Sequence, residues 1–280
     1  MNFADKFIYS SNPLVTRIRN IKFLRNLYLR YFKKFDGKII IYPTLVCNLN
    51  CPYCVNKFHG SIHKFDTLPG EEWVKIINKE QRDVILTGGE PTLHKDFLKI
   101  INGINPGINI KLYTNFNWPD EFLKKYIKEI KKPMTFYASY HTSSGNPEKF
   151  FHVFDKLRAS GKFKGSVHTV CPELGEARRL KRLFAKKGIK LAIDDDQYHM
   201  FDGCSKKFKK KVNCAKKVFL IAPDGTRFRC VSYMLRNKQP LEDLKVSRLS
   251  NPLFSDTCYE YGYCSPCDLL GEINITELKK

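Results

Sequence analysis

Three cysteines near the start of the chain are the residues best suited to chemistry. Cys47, Cys51 and Cys54 put three thiolates on one short loop. Three thiolates hold three irons of a four-iron, four-sulfur (4Fe–4S) cube, whereas a closed site uses four. The remaining iron keeps an open position, where a substrate or cofactor can bind and receive an electron. Zinc is the alternative use of these thiolates. It prefers paired Cys-x2-Cys units with partners further along, and here it would borrow His59 or His63. Ligand number and type favour the cluster.

A second set lies towards the C-terminus. Cys214, Cys230, Cys264 and Cys267 offer four thiolates, which suit a closed 4Fe–4S cluster or a structural zinc. Pro223-Asp224-Gly225, flanked by apolar runs at 218–222 and 227–231, is a hairpin signal that would draw Cys214 and Cys230 together. Cys264-x2-Cys267 would close the site from the far end. Cys204 and Cys258 are spare, and either could replace one of the four. Cys171, beside Pro172 at a strand end, reads as a packed thiol.

The elements that must carry these loops alternate. Strands are predicted over 38–46, 83–87, 108–114, 134–140, 164–170 and 189–193. Helices are predicted over 71–79, 95–102, 119–130, 147–159 and 173–187, with breakers such as Pro69-Gly70 and Gly188 between elements. This run of βα units predicts an α/β fold with a parallel sheet wrapped by helices, and right-handed crossovers make it a barrel or partial barrel. Chemistry in such folds sits at the C-terminal ends of strands. The cysteine loop and Gly88-Gly89 both follow strand ends. After about residue 198 the pattern gives way to a basic run, Lys206–Lys211, and the hairpin.

Two motifs carry a resemblance. Cys47-Asn48-Leu49-Asn50-Cys51-Pro52-Tyr53-Cys54 resembles the CxxxCxxC signature of the radical S-adenosylmethionine (SAM) superfamily, with its aromatic residue before the third cysteine. Thr87-Gly88-Gly89-Glu90-Pro91 resembles that family's GGEP motif, in the expected order. The resemblance covers about residues 38–196 and implies a partial (β/α)6 TIM-like barrel. It implies an enzyme whose open iron chelates the amino and carboxylate groups of SAM. One electron then cleaves the sulfonium bond, and a 5′-deoxyadenosyl radical abstracts hydrogen from a substrate. It also implies a reductant such as flavodoxin or ferredoxin. By the same resemblance Gly88, Gly89, Glu90 and Pro91 surround the methionine portion, with Gly89 and Glu90 on its ammonium. Tyr53 packs near adenine, and Asn115 and Ser139 contact methionine or ribose. Many relatives carry Asp-Gly shortly after that serine, where this chain has Tyr140-His141; His141 reads as a loop histidine. The C-terminal cysteines resemble the auxiliary-cluster domain called twitch, or the front half of the longer SPASM domain, and imply one auxiliary 4Fe–4S cluster. The expected division is a basic amphipathic helix at 1–37, a radical SAM barrel at 38–198 and a small cysteine-rich domain at 199–280.

Composition bounds the partners. The 280 residues carry 49 Lys and Arg against 28 Asp and Glu, a formal net charge of +21. That balance suits anionic partners, or simply a lysine-rich solvated surface. The N-terminus has no apolar signal region, and no run is long enough to span a membrane. A reducing, cytoplasmic setting is therefore expected, in which ten cysteines serve ligation rather than disulfides. Arg17–Lys34 reads as a basic amphipathic helix, able to pack on the barrel or to lie on an anionic membrane and deliver the barrel to a lipid. The leading expectation is a peptide or small-metabolite substrate. A zinc-containing nucleic-acid-binding protein is the reading from another class, but no RNA-binding module supports it. No general base can be assigned; Asp194, Asp195 and Asp196 read as loop carboxylates.

Overall fold

A computed structural model describes residues 38–54, 56, 64–142, 145–170, 174–194, 210–216, 219–228, 230–237, 254–261 and 273–277. Strands β1 (Ile39–Ile41), β2 (Val84–Leu86), β3 (Ile110–Thr114), β4 (Thr135–Tyr140), β5 (Gly165–Val170) and β6 (Leu191–Asp194) alternate with helices α1 (Gly70–Glu80), α2 (Phe97–Gly103), α3 (Asp120–Glu129), α4 (Pro147–Ala159) and α5 (Leu174–Ala185). The six strands pair parallel in sequence order and do not close on themselves. This is the expected partial barrel.

Local chemistry sets the boundaries. Asn146 caps α4 by accepting from the backbone N–H groups of Glu148 and Lys149, and Pro147 occupies its first turn. Glu71 and Glu72 open α1 and Asp120 and Glu121 open α3, where carboxylates oppose the helix dipole. Gln81 ends α1 in the left-handed region at φ 53°. The helices bury Trp73, Ile77, Leu123, Tyr126 and Phe150 against the sheet.

The two faces of the sheet differ. On the helix side Leu112, Phe136, Ala138 and Val167 are buried. The opposite face of β3, β4 and β5 carries Lys111, Tyr113, Tyr137, Ser139 and His168, all half-buried. Tyr113 stacks on Tyr137 at 4.4 Å between centroids, and Tyr137 on His168 at 3.6 Å. Lys111 Nζ sits 4.8 Å from the Tyr137 centroid. Parallel sheets are ordinarily apolar on both faces. The inner wall of this half-barrel is instead polar and aromatic, and it lies below the strand ends that carry the motifs.

Several elements depart from expectation. β1 stops at Ile41 rather than Val46: Tyr42 N–H still donates to Ile221 O, but Pro43 has no N–H to give. A 3-10 turn at Pro91–Leu93, capped by Glu90, was not predicted. The hairpin forms, as β8 (Phe219–Ile221) and β9 (Arg227–Phe228), and it extends the main sheet: β8 pairs parallel with β1, Ile40 opposite Leu220. Helix α6 (Val231–Leu235) follows it directly. Arg227 binds Glu80 at 2.5 Å and ties the hairpin to α1. A second sheet, with no counterpart in the predicted elements, sets β7 (Lys210–Lys216) between β10 (Phe254–Tyr261) and β11 (Ile273–Glu277), both antiparallel to it. Its strands are recruited by pairing, which the local pattern of a basic run does not reveal. Among the described residues no helix is long and apolar enough to cross a membrane. The helix expected at Arg17–Lys34 lies outside the described residues.

Candidate iron–sulfur and cofactor site

The cysteine loop leaves the end of β1 and is held by the turn that leaves the end of β2. Gly89 N–H donates to Thr44 O at 3.0 Å, and Glu90 N–H donates to Val46 O at 2.8 Å. The two segments therefore run at hydrogen-bond distance just before Cys47. Only glycine permits this. A Cβ at Gly89 would lie 2.2 Å from Val46 O, and one at Gly88 would lie 2.2 Å from Thr44 O. Gly88 also has φ +141°, a conformation side chains rarely adopt. Asn56 closes the arrangement, its Nδ2 donating to Gly88 O at 3.1 Å. Its own Oδ1 is buried without a hydrogen-bond partner.

Glu90 is 1 % exposed, and its carboxylate is committed. It accepts from Thr92 N–H, from the hydroxyls of Thr92 and Thr114, and from Asn115 N–H at 2.8 Å. Burial pushes its pKa up, and the hydrogen bonds from Asn115, Thr92 and Thr114 oppose the rise. The side chain thus fastens the GGEP turn to the end of β3. Pro91 is buried at the start of the 3-10 turn.

Beyond β3 the chain turns sharply, with Phe116 at φ 53°. Phe116 plugs the core against Trp118 and Phe136, while Asn115 on its other side faces the cysteine loop. Asn115 Nδ2 donates to Asn48 Oδ1 at 2.9 Å and reaches Cys47 Sγ at 3.8 Å. Tyr53 lies on the other flank of the loop, with its hydroxyl 3.0 Å from His141 Nδ1 and the rings stacked. His141, expected to be a loop histidine, is packed against the cluster loop; burial lowers its pKa to about 4, so it is neutral at pH 7. Ser139 sits on the inner wall, opposite His168.

Cys47 is exposed, Cys51 buried and Cys54 half-buried, and none of the three is in a disulfide. Burial raises the Cys47 pKa, Leu49 N–H opposes this, and negative charge at Glu90, Cys54 and Cys51 adds to the rise. A thiolate at Cys47 is therefore favoured by a cationic partner. Among the described residues no three His, Cys, Asp or Glu converge on a point that could hold a single metal ion. A cube asks for something else, since each thiolate binds a different iron. Leu49 N–H, 3.4 Å from Cys47 Sγ, is the kind of donor such sulfurs use. Three thiolates and this N–H donor fit a three-cysteine cluster; His59 and His63, which a zinc would borrow, lie outside the described residues.

Of the second set, Cys214 lies in the middle of β7, opposite Asp256 and Ile275, and Cys230 lies at the N-terminus of α6. Cys258 lies opposite Val212, two positions along from Asp256. Cys171, Cys204, Cys264 and Cys267 lie outside the described residues, as do Asp195 and Asp196. Sequence reading missed Asn48, Asn56, Thr92 and Thr114. The Asn48 and Asn56 positions inside and just after the cysteine motif were the only signal.

Comparison with known proteins agrees with this geometry. The model of the radical SAM superfamily matches residues 41–183. A probable GTP 3',8-cyclase of Pyrococcus abyssi is 40 % identical over 77 residues, covering 26 % of this chain and 24 % of that protein. The GTP 3',8-cyclase of Psychromonas ingrahamii is 39 % identical over 101 residues, 33 % of this chain and 30 % of that one. The 7-carboxy-7-deazaguanine synthase of Hyperthermus butylicus is 34 % identical over 85 residues, 29 % and 36 % of the two chains. The chain thus spans only about a quarter to a third of the length of these curated relatives. Streptococcus suis SuiB, in its structure bound to S-adenosylmethionine, aligns with a TM-score of 0.47 and 15 % identity over 92 % of this chain and 74 % of that one. The family match spans the cysteine loop, the GGEP turn and the strands that join them, and on that ground the chain belongs to the radical SAM superfamily, a family of enzymes built on a 4Fe–4S cluster and SAM.

Proposed function

We propose that this enzyme reductively cleaves SAM and uses the 5′-deoxyadenosyl radical to abstract hydrogen from a peptide or a small metabolite. The observation that carries the reading is the clamped pair of loops: Gly89 and Glu90 N–H groups bound to the carbonyls that lead into Cys47. Cys47, Cys51 and Cys54 would hold the cluster. When bound, it supplies one electron to the sulfonium at its open iron.

The protein's own part is positioning. The glycine turn presents backbone groups of Gly88–Pro91 beside the loop, where the methionine portion would sit. Asn56 Oδ1 is an acceptor left over in the same place and suits an ammonium. Tyr53, braced by His141, gives an aromatic surface for adenine. Asn115 and Ser139 mark the rim, and below them the wall of Lys111, Tyr113, Tyr137 and His168 would face the substrate. A flavodoxin or ferredoxin would deliver the electron. Relatives named for GTP make a purine nucleotide the first small molecule to try. Cys214, Cys230, Cys264 and Cys267 are proposed as ligands of one auxiliary cluster in a twitch-like domain at 199–280.

The test is anaerobic reconstitution with iron and sulfide, then addition of SAM and dithionite. Formation of 5′-deoxyadenosine, lost in Cys47→Ala, Cys51→Ala and Cys54→Ala, is expected. Fully assembled clusters that release none would sink the reading.

A further inference from the structure

We infer that Asn115 is a positioning residue for the cluster itself: its amide N–H hydrogen-bonds the Cys47 sulfur and sets how readily the cluster accepts an electron. The inference rests on the reading that Cys47 is a cluster ligand.

The amide orientation is dictated by backbone groups. Asn117 N–H donates to Asn115 Oδ1 at 2.8 Å, so the oxygen faces away from the loop and the NH2 faces it. Asn48 is fixed in the same way, because its Nδ2 donates to Asn117 O at 2.7 Å. Its Oδ1 then meets one hydrogen of Asn115 Nδ2 at 2.9 Å. The second hydrogen is directed at Cys47 Sγ, 3.8 Å from the nitrogen, which is within reach of a large, soft acceptor. Flipping either amide would break a backbone hydrogen bond. The backbone of Asn115 is anchored independently, its N–H donating to Glu90 Oε2 at 2.8 Å. Asn115 is itself 8 % exposed, while its partners Cys47 and Asn48 lie at the surface.

This gives Cys47 Sγ two N–H donors, from Leu49 and from Asn115. Hydrogen bonds to cluster sulfurs tune the reduction potential. The reduced cluster carries more negative charge on its sulfurs, so a donor stabilises it more than the oxidised form. Removing the donor makes reduction harder. Asn115→Ala deletes it. Asn115→Asp keeps the shape and the bond from Asn117 N–H, but turns an oxygen towards the sulfur.

The experiment is a potentiometric titration of reconstituted wild type, Asn115→Ala and Asn115→Asp without SAM, followed by electron paramagnetic resonance. At a fixed poise the ratio of reduced to oxidised cluster should fall about three- to tenfold in Asn115→Ala, up to about 59 mV for a one-electron couple. The fall should be larger in Asn115→Asp, at unchanged iron content. In deuterium oxide, pulsed spectra of the reduced wild-type cluster should show an exchangeable deuteron that both variants lose. Equal potentials and equal deuteron couplings in clusters of equal iron content would overturn the inference. If Asn115→Ala fails to hold iron, the nearly isosteric Asn115→Asp and Asn48→Ala, which releases the amide, decide it by the same readouts. A wild type that assembles no cluster at Cys47, Cys51 and Cys54 refutes the cluster reading, and the inference falls with it.

Discussion

Tyr53 and His141 are joined by a 3.0 Å hydrogen bond between the tyrosine hydroxyl and His141 Nδ1, across 88 residues of sequence. It links the cysteine loop, which follows β1, to the end of β4, so the cluster loop is braced from two sides. Tyr53→Phe should cost about 1 kcal/mol of stability in a denaturant titration. The larger consequence is a pH dependence. Burial holds His141 at a pKa of about 4, against an ordinary value near 6.5. Between those values the unfolded chain binds a proton that the folded chain refuses. Stability therefore falls as pH drops through that window, by no more than about 3 kcal/mol at 1.36 kcal/mol per unit. Above pH 6.5 the histidine contributes no slope. Carboxylates also titrate at the acid end, so the histidine is isolated by the difference between wild type and His141→Gln at pH 7 and pH 4.5. A difference that stays constant across the range would show that the ring is not held neutral by burial.

The glycine turn should be intolerant of a single methyl group. At Gly89 the new Cβ would face Val46 O at 2.2 Å and Leu45 O at 2.5 Å, all backbone. Backbone cannot swing aside as a side chain does. Gly89→Ala should therefore push the GGEP turn off the cysteine loop and break the hydrogen bonds to Thr44 O and Val46 O. Reconstituted iron at the three-cysteine site should drop several-fold, and equilibrium binding of SAM should be lost. Gly107→Ala, where nothing lies within 4 Å, is the control and should behave as wild type.

How much of this was legible in the sequence follows from what each feature depends on. The barrel strands and helices are local: β-branched runs, breakers and first-turn acids foretell them, and the six parallel strands appear in chain order. Cys47, Cys51 and Cys54 are legible because cluster chemistry dictates their spacing. The partners of Glu90 are not, because Thr114 and Asn115 reach it from the next strand and carry no pattern of their own. Asn115 was legible as a site residue, but its orientation towards Cys47 depends on Asn117 and Asn48. β7 was missed because its start overlaps the basic run Lys206–Lys211, and only pairing with β10 and β11 makes Lys210–Lys216 a strand. Placing β8 beside β1 likewise needs long-range pairing that no window of sequence contains.

The proposed auxiliary cluster can be counted. If Cys214, Cys230, Cys264 and Cys267 hold a second cube, reconstituted wild type should carry about eight irons per chain, two cubes of four. Cys230→Ala should reduce this towards about four while leaving the cluster at Cys47, Cys51 and Cys54 in place. The triple alanine variant of those three should retain the complementary half. Cys258→Ala tests the spare cysteine on β10. Wild-type iron near four per chain, with zinc making up the difference, would reassign the C-terminal site to a structural metal.

Glu90 offers the sharpest separation between a structural and a binding role. Its carboxylate accepts four hydrogen bonds, from three residues, while 1 % exposed. Glu90→Ala leaves the hydroxyls of Thr92 and Thr114 and the N–H groups of Thr92 and Asn115 without their acceptor, in a cavity. Stranding buried partners in this way costs about 3–5 kcal/mol. Glu90→Gln keeps one oxygen, and threonine hydroxyls can rotate to accept from its NH2, but the Asn115 N–H cannot. The expected cost is smaller, about 1–2 kcal/mol, from one mismatched donor pair. Denaturant titration of the two variants should therefore rank wild type, Glu90→Gln and Glu90→Ala in that order, before any cofactor is added. A carboxylate used mainly to bind the SAM ammonium predicts the opposite behaviour: near-normal stability in both variants, with SAM affinity lost in each.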